Sequence, residues 1–232
     1  MGAQAMSEPV RSLIRFDVIG FDLDGTLLDT APDIAHALNH ALMLAGRPAR
    51  SVGEVRQMIG GGMKRLLATA LGGEDSVPPD DLAALQQALL DHYRAHIAVE
   101  TRAFDGMERA LDTLAARGIA LGVATNKLEG LAIDLLDRIG LKDRFAAIVG
   151  GDTLGADRAK PLPDMLHHLA SLCGGKAMAF VGDSAFDVKA AKAARMPAIA
   201  VSFGYPGMPV DALGADRIID HYDELLPALA AL

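Results

Sequence analysis

Five short apolar segments, separated by amphipathic stretches, constrain this chain more than any other feature. The first, Phe16-Asp17-Val18-Ile19-Gly20-Phe21-Asp22-Leu23, reads as a strand buried on both faces, the pattern of a central strand in a parallel sheet. Residues 119–124, 145–149, 177–181 and 198–202 repeat it. Residues 107–117, 129–139, 163–172, 187–195 and 223–232 carry apolar side chains at helical spacing. Strand and helix in alternation predict an α/β fold, a Rossmann-like parallel sheet core flanked by helices.

One stretch breaks the alternation. From about Thr30 to Glu100 no strand is expected, and helical spacing runs over residues 33–44, 52–59, 63–71 and 80–96. Gly46, Gly60-Gly61-Gly62 and Val77-Pro78-Pro79 punctuate it. A chain of 232 residues, set against the usual ~150 per domain, holds one domain and about half of another. The expected organisation is therefore a core built from residues 1–29 and 101–232, with an inserted all-helical cap domain at 30–100. The insertion leaves from the carboxyl end of the first strand, where open α/β sheets bind ligands. It is placed to act as a lid.

Composition removes several function classes. A 51% hydrophobic, 22% charged chain is globular and not disordered. The formal net charge of −8, with basic residues scattered, leaves no electrostatic footprint for nucleic acid. No apolar run approaches the ~18 residues that span a bilayer, so no membrane partner is expected. Residues 1–9 lack the basic flank and apolar core of a signal peptide and read as a loose extension, with Met6 an alternative start. Cys173 is the only cysteine, which excludes an internal disulfide and suits a reducing compartment. The expectation is a cytoplasmic protein, monomeric or homodimeric.

The chemistry lies at the strand ends. The first strand runs into Asp22-Leu23-Asp24-Gly25-Thr26, and two carboxylates at the end of a buried strand are costly unless something positive pairs with them. Taken alone, such a pair is more often an acidic surface turn. Gly25 suggests that the chain is already turning, so that Asp24 approaches the site from another angle. The second strand ends in Thr125-Asn126, the loop after the third leads to Lys160-Pro161, and the fourth ends in Gly182-Asp183-Ser184, with Asp187 following. All lie at carboxyl ends of parallel strands, so they are expected to converge. Carboxylates with hydroxyl and amide neighbours suit a hard cation such as Mg²⁺. Neither Cys nor His joins the set, so zinc is not expected. A divalent cation, a lysine and neutral donors suit phosphoryl transfer, whose catalysis is mostly positioning and charge neutralisation.

The stretch from Phe21 to Thr30, then Thr125-Asn126, Lys160-Pro161 and Gly182-Asp183-Ser184-Ala185-Phe186-Asp187, resembles the four ordered motifs of the haloacid dehalogenase superfamily. The likeness covers nearly the whole chain from Phe16 onward. Within that superfamily the phosphoglycolate phosphatase branch is the most similar. It shares Asp29-Thr30-Ala31-Pro32-Asp33, Ile59-Gly60-Gly61-Gly62, Asn126-Lys127, Lys160-Pro161-Leu162-Pro163-Asp164 and Ser202-Phe203-Gly204-Tyr205. The resemblance implies a helical cap, Mg²⁺ dependence and an aspartyl-phosphate intermediate. It also implies a small phosphorylated metabolite as substrate, with 2-phosphoglycolate the first to test. By the same resemblance Asp22 is the nucleophile and Asp24 the acid/base. Thr125 and Asn126 grip the phosphoryl oxygens, and Lys160 neutralises the charge shared by Asp22 and phosphate. Asp22, the Asp24 backbone carbonyl and Asp183 hold the metal, with Thr26 and Asp187 supporting them.

Other readings separate on particular residues. β-Phosphoglucomutases carry a cap histidine where this chain has Ile34, and Glu-Asp where it has Gly182-Asp183, which favours a phosphatase over a phosphomutase. A pyrophosphatase is the other enzymatic alternative. A phospho-Asp signalling receiver is about half this length and has no use for a second, hydrolytic Asp. Gly60-Gly61-Gly62 reads first as a helix connector; in the resembling family this loop faces the active site, making its amides, Lys64 and Arg65 candidates for the substrate's far end. No Gly-Lys-Ser/Thr follows, so it is not a P-loop. The pairs His36/His40 and His92/His96 have a spacing able to grip a metal but read better as solvated or partly packed positions on cap helices. After Ala193-Ala194 the family usually has glycine, whereas this chain has Arg195. If the helix ends there in a left-handed conformation, Arg195 is strained.

Overall fold

The computed structural model describes residues 14–73 and 76–232; the reading of residues 1–9 as an extension lies outside them. Strands β1 (Val18–Phe21), β4 (Ala120–Ala124), β5 (Ala147–Val149), β6 (Met178–Gly182), β7 (Ala198–Val201) and β8 (Arg217–Ile219) form one sheet in the order β5-β4-β1-β6-β7-β8. Every pairing in it is parallel. β1 is central and buried along its length. The chain travels outward from it through β4 and β5, then returns to β6 and leaves in the other direction. That reversal makes the carboxyl end of β1 the topological switch point.

Helices cover both faces. Ile19 and Phe21 point into the layer holding α5 (Met107–Ala116), α6 (Glu129–Arg138) and α9 (Leu225–Ala230), together with Leu111, Leu135 and Leu229. Val18 faces α7 (Asp164–Leu172) and α8 (Ala185–Ala193), among Leu166, Leu169 and Val188. This alternation along β1 is the period of two of a strand. Gly20 and Gly122 lie side by side in register, and a Cβ on either would come within 3.2 Å of the Leu169 side chain. Their bareness lets α7 settle onto the sheet.

The helical block consists of α1 (Ala31–Leu44), α2 (Val52–Arg56), α3 (Met63–Leu71) and α4 (Pro79–Ala95). α1 and α4 pack along one another, burying Leu38, Leu42, Leu85 and Leu89. A two-stranded antiparallel ladder of β2 (Leu28–Asp29) and β3 (Arg102–Ala103) closes the base of the block. Asp33, in the first turn of α1, grips the returning chain. It accepts hydrogen bonds from the Glu100 and Thr101 amides at 2.9 Å and from the Thr101 hydroxyl at 2.7 Å.

Three strands escape sequence patterning. β2 and β3 are too short to show a period, and β8 is an edge strand with Arg217 and Ile218 exposed. Elsewhere the expected elements differ mainly at their ends: α8 begins at Ala185 and stops at Ala193, each two residues before the expected bound. Arg195 follows in the left-handed region at φ 58°, the only non-glycine with positive φ among the described residues. The Met196 amide donates back to the Ala191 carbonyl at 2.9 Å, closing the turn in the way a glycine normally serves. A side chain costs about 1–2 kcal/mol in that region, partly offset by the extra freedom glycine gives the unfolded chain. Arg195→Gly is expected to raise the unfolding free energy by about 0.5–1 kcal/mol. A urea midpoint that stays put or falls would contradict it.

Candidate active site

β1 stops at Phe21, and the chain folds back on itself so that the Leu27 and Leu28 amides both donate to the Leu23 carbonyl. Gly25 makes the turn at φ 83°, where a Cβ would lie 2.2 Å from Asp183 Oδ2. Asp22, Thr125 and Asp183 each directly follow one of three adjacent strands, β1, β4 and β6, at one edge of the sheet. Lys160 enters from the loop after β5. Its ammonium lies 2.9 Å from Asp22 Oδ1 and 2.6 Å from Asp187 Oδ1. The second Asp187 oxygen accepts from the Ser184 amide at 3.0 Å and the Ser184 hydroxyl at 2.6 Å. Asp183 accepts from the Tyr205 amide at 2.6 Å and, at 3.4 Å, from the Thr26 hydroxyl.

Asp22, Asp183 and Asp187 each place one carboxylate oxygen within 4.8 Å of the others. Of the three, Asp187 is spent on Lys160 and Ser184, which leaves Asp22 and Asp183 as the freer ligands. Burial pushes the Asp22 carboxyl up to about 7; Lys160 pulls against this, while Asp187 and Asp24 add to it. Burial also raises Asp183 well above the carboxylate range, with Asp187 and Asp22 adding to it. Asp22 Oδ1 is buried and, although close to Lys160, lies off the direction of any hydrogen bond. Two carboxylates that resist ionisation and an acceptor without a donor are what a bound cation would relieve. An all-oxygen set of this kind fits a hard divalent ion.

Asp24 sits beside this cluster, held by contacts to which sequence reading assigned no role. Both of its oxygens accept from the Lys127 ammonium, at 2.7 and 2.8 Å, and Oδ1 also accepts from the Thr30 hydroxyl at 2.7 Å. Lys127 stands under the ring of Tyr93 from α4, 4.9 Å from its centroid. Position offered one signal for Lys127, since it directly follows the strand-end pair Thr125-Asn126. Tyr93 offered none, being one more apolar position in a helix. Tyr205 was visible only within a family-like stretch; its hydroxyl donates to Asp29 and accepts from the Ala31 amide at 3.2 Å. Asp29 also pairs with Arg56 of α2 at 2.8 Å.

Thr125 and Asn126 reach the same edge. The Asn126 side chain is committed to bracing: its amide donates to the Gly60 carbonyl at 2.9 Å and the Lys160 carbonyl at 3.0 Å, and its oxygen accepts from the Lys160 amide at 3.0 Å. It thereby ties the helical block to the sheet. A narrow cavity of ≈ 30 Å³ lies between them, with Asp22, Asp24, Thr125 and Lys127 below and Ile34, Ile59, Met63 and Leu66 above. Gly60 and Gly62 border it; Gly61, Lys64 and Arg65 instead face a larger outer cavity of ≈ 450 Å³ that also reaches Lys160 and Phe186. The Arg65 guanidinium lies over Phe186, 5.3 Å from its centroid. No histidine joins the cluster of Asp22, Asp183 and Asp187 among the described residues. His40, His92 and His96 stack in a row with ring centroids 4.4–4.5 Å apart, and His36 lies 3.5 Å from Glu100.

A Rossmann-like parallel sheet with a helical block over its switch point, and carboxylates paired with buried lysines beneath, is the arrangement of a capped phosphoryl-transfer enzyme. The chain belongs to the haloacid dehalogenase-like hydrolases, whose family model matches residues 19–201. It is 39% identical to a phosphoglycolate phosphatase of Agrobacterium fabrum over 214 residues, 90% of each chain. A phosphoglycolate phosphatase of Thiobacillus denitrificans is 39% identical over 204 residues, covering 85% of this chain and 88% of that one. Among solved structures, a predicted phosphoglycolate phosphatase from Haemophilus somnus superposes with a TM-score of 0.83 at 29% identity, covering 91% of this chain and 97% of the other. CbbY from Rhodobacter sphaeroides, solved in complex with phosphate, gives 0.76 at 26% identity, with coverage of 92% and 99%. Among the described residues no helix is long and apolar enough to cross a membrane.

The carboxylate cluster makes a prediction that needs no turnover. Millimolar Mg²⁺ is expected to raise the melting temperature of the protein, because a ligand that binds only the folded state stabilises it. The gain is expected to grow from pH 6 to pH 8, since a cation displaces the proton that Asp22 retains below about 7. Asp183→Asn is expected to abolish most of the gain. A Mg²⁺-independent melting curve in the unaltered protein would remove the metal site.

Proposed function

We propose that this protein is a Mg²⁺-dependent phosphoglycolate phosphatase working through an aspartyl-phosphate, with a core of residues 1–29 and 101–232 and a cap of residues 30–100. The observation that carries this reading is Asp22. It is a buried carboxylate at the switch point, 2.9 Å from a buried ammonium, opening onto a cavity roofed by the cap. A carboxylate oxygen of Asp22 attacks phosphorus and forms an O–P bond as the bond to the leaving oxygen breaks, and a proton held on Asp24 passes to that oxygen. Asp24 then takes a proton from water while the water oxygen attacks phosphorus, releasing phosphate and restoring Asp22. Thr125 and the Asn126 backbone hold the phosphoryl oxygens, and Lys160 offsets the repulsion between nucleophile and ester. Thr26 and Asp187 position Asp183 and Lys160. Mg²⁺, held by Asp22, Asp183 and the Asp24 carbonyl, would neutralise charge on the phosphoryl group.

The cap supports a small leaving group. Ile34, Ile59, Met63 and Leu66 roof the space above Asp22, which suits a compact leaving group such as glycolate. Ile34 occupies the position of the mutase histidine and offers no proton, which favours hydrolysis over phosphoryl return to a sugar. The backbone amides of Gly60-Gly61-Gly62, at the start of α3, are suited to the substrate carboxylate, with Lys64 and Arg65 supplying positive charge at the outer cavity. The lone thiol of Cys173 suits a cytoplasmic setting.

A phosphate-release panel of small phosphorylated metabolites tests the reading. 2-Phosphoglycolate is expected to dominate, with activity lost on chelation and lost at least about 10³-fold with Asp22→Asn. Full activity in that variant would overturn the assignment of the nucleophile. Preference for pyrophosphate, or phosphoryl transfer retained on a sugar, would move the protein to a neighbouring activity.

A further inference from the structure

Apart from Lys160, Lys127 is the only buried cation among the described residues, and the chemistry above leaves it without a task. We propose that Lys127 is a positioning residue for proton transfer: together with Thr30 it anchors Oδ1 of Asp24 and leaves Oδ2 as the oxygen that carries the proton. The inference rests on the reading of Asp22 as nucleophile and Asp24 as proton carrier.

The geometry is specific to that task. A carboxyl group turns easily about its last bond, and a misplacement of about 1 Å at a reacting group costs on the order of 10²-fold in rate. Asp24 Oδ1 accepts from two donors, the Lys127 ammonium and the Thr30 hydroxyl, whereas Oδ2 accepts from Lys127 alone. When Oδ2 takes up a proton, Oδ1 keeps both of its bonds, so the group holds its place in both halves of the reaction. Lys127 is itself held. Its amide donates to Thr125 Oγ1 at 3.2 Å, and its carbonyl accepts from the Gly151 amide at 2.9 Å. Burial works against its charge, but the Asp24 carboxylate beside it more than compensates and holds the ammonium above its usual range. The Tyr93 ring covers the ammonium from the cap. The cap thus reaches Asp24 through the lysine that holds it. An ammonium so fully engaged by Asp24 is not free to serve as the receptor for a substrate carboxylate.

Lys127→Met, alone and combined with Asp24→Asn, tests the proposal with two substrates. The glycolate leaving oxygen needs a proton, whereas p-nitrophenolate leaves without one. In Lys127→Met, kcat for 2-phosphoglycolate is expected to fall about 100-fold, the size of a general-acid contribution, with KM unchanged. With p-nitrophenyl phosphate, about one equivalent of nitrophenolate is expected in a fast burst, followed by a slow steady rate, because only the second step then needs Asp24. The double variant is expected to be no slower than Asp24→Asn, since Lys127 acts through that carboxyl. Tyr93→Leu is expected to show the same pattern with a smaller loss, which covers the case of a poorly folded Lys127 variant. Equal losses on both substrates without a burst would overturn the proposal, as would additive losses in the double variant. A raised KM for 2-phosphoglycolate with kcat intact would instead make Lys127 a substrate receptor. Loss of the burst in Lys127→Met is a failure of this proposal; a burst that survives Asp22→Asn is a failure of the nucleophile assignment beneath it.

Discussion

A single ammonium, Lys160, holds the carboxyl edge of the sheet together. It lies between Asp22, just after β1, and Asp187, in the first turn of α8, and its own backbone is pinned by the Asn126 side chain after β4. Elements far apart in the chain are thus registered around one buried charge. Such a cluster is a poor source of net stability, because desolvating the ions cancels much of their attraction. Removing the lysine alone would leave three carboxylates facing one another, the arrangement that costs most. The fold tolerates the cluster because Lys160 compensates part of the negative charge and a cation can compensate the remainder.

A second buried lysine divides the work. Lys160 answers Asp22, while Lys127 answers Asp24, so two carboxylates from one tight turn are given separate partners and separate environments. This separation matters in a chain of net charge −8. Screening confines surface charges to about 8 Å at physiological ionic strength, so attraction of an anionic ester depends on cations inside the site rather than on the protein's overall field. The side chains of Lys64 and Arg65 are exposed and face the outer cavity, away from the buried carboxylates.

The sheet and the convergence of its strand ends were legible because both follow from strong periodic signals. Buried parallel strands are apolar on both faces, and parallel connections send every carboxyl end to one side, so the sequence alone places Asp22, Thr125, Lys160 and Asp183 together. The pairing within the site was not legible. Whether Lys127 or Lys160 meets Asp24 depends on the turn at Gly25 and on how Asn126 braces the loop of Lys160, neither of which leaves a period. Tyr93 shows the same limit from the other side: a ring in a helix seam looks like core until its neighbour across the domain boundary is a lysine. β2 and β3 were hidden for a simpler reason, since two residues cannot reveal an alternation.

The run from Asp22 to Asp33 ties the carboxylate site to the placement of the cap. It contains the two site carboxylates, then Asp29, which meets Arg56 of the cap and Tyr205 of the core, then Thr30, which touches Asp24, and finally Asp33, which grips the chain on its return. A shift of the cap about this base would move Thr30 and Tyr93 together, and both bear on Asp24 or its lysine. The apolar roof of Ile34, Ile59, Met63 and Leu66 rides on the same block. The roof above Asp22 and the placement of Asp24 are therefore two consequences of one seating, which is a physical reason for inserting a cap directly after the first strand instead of elsewhere in the sheet.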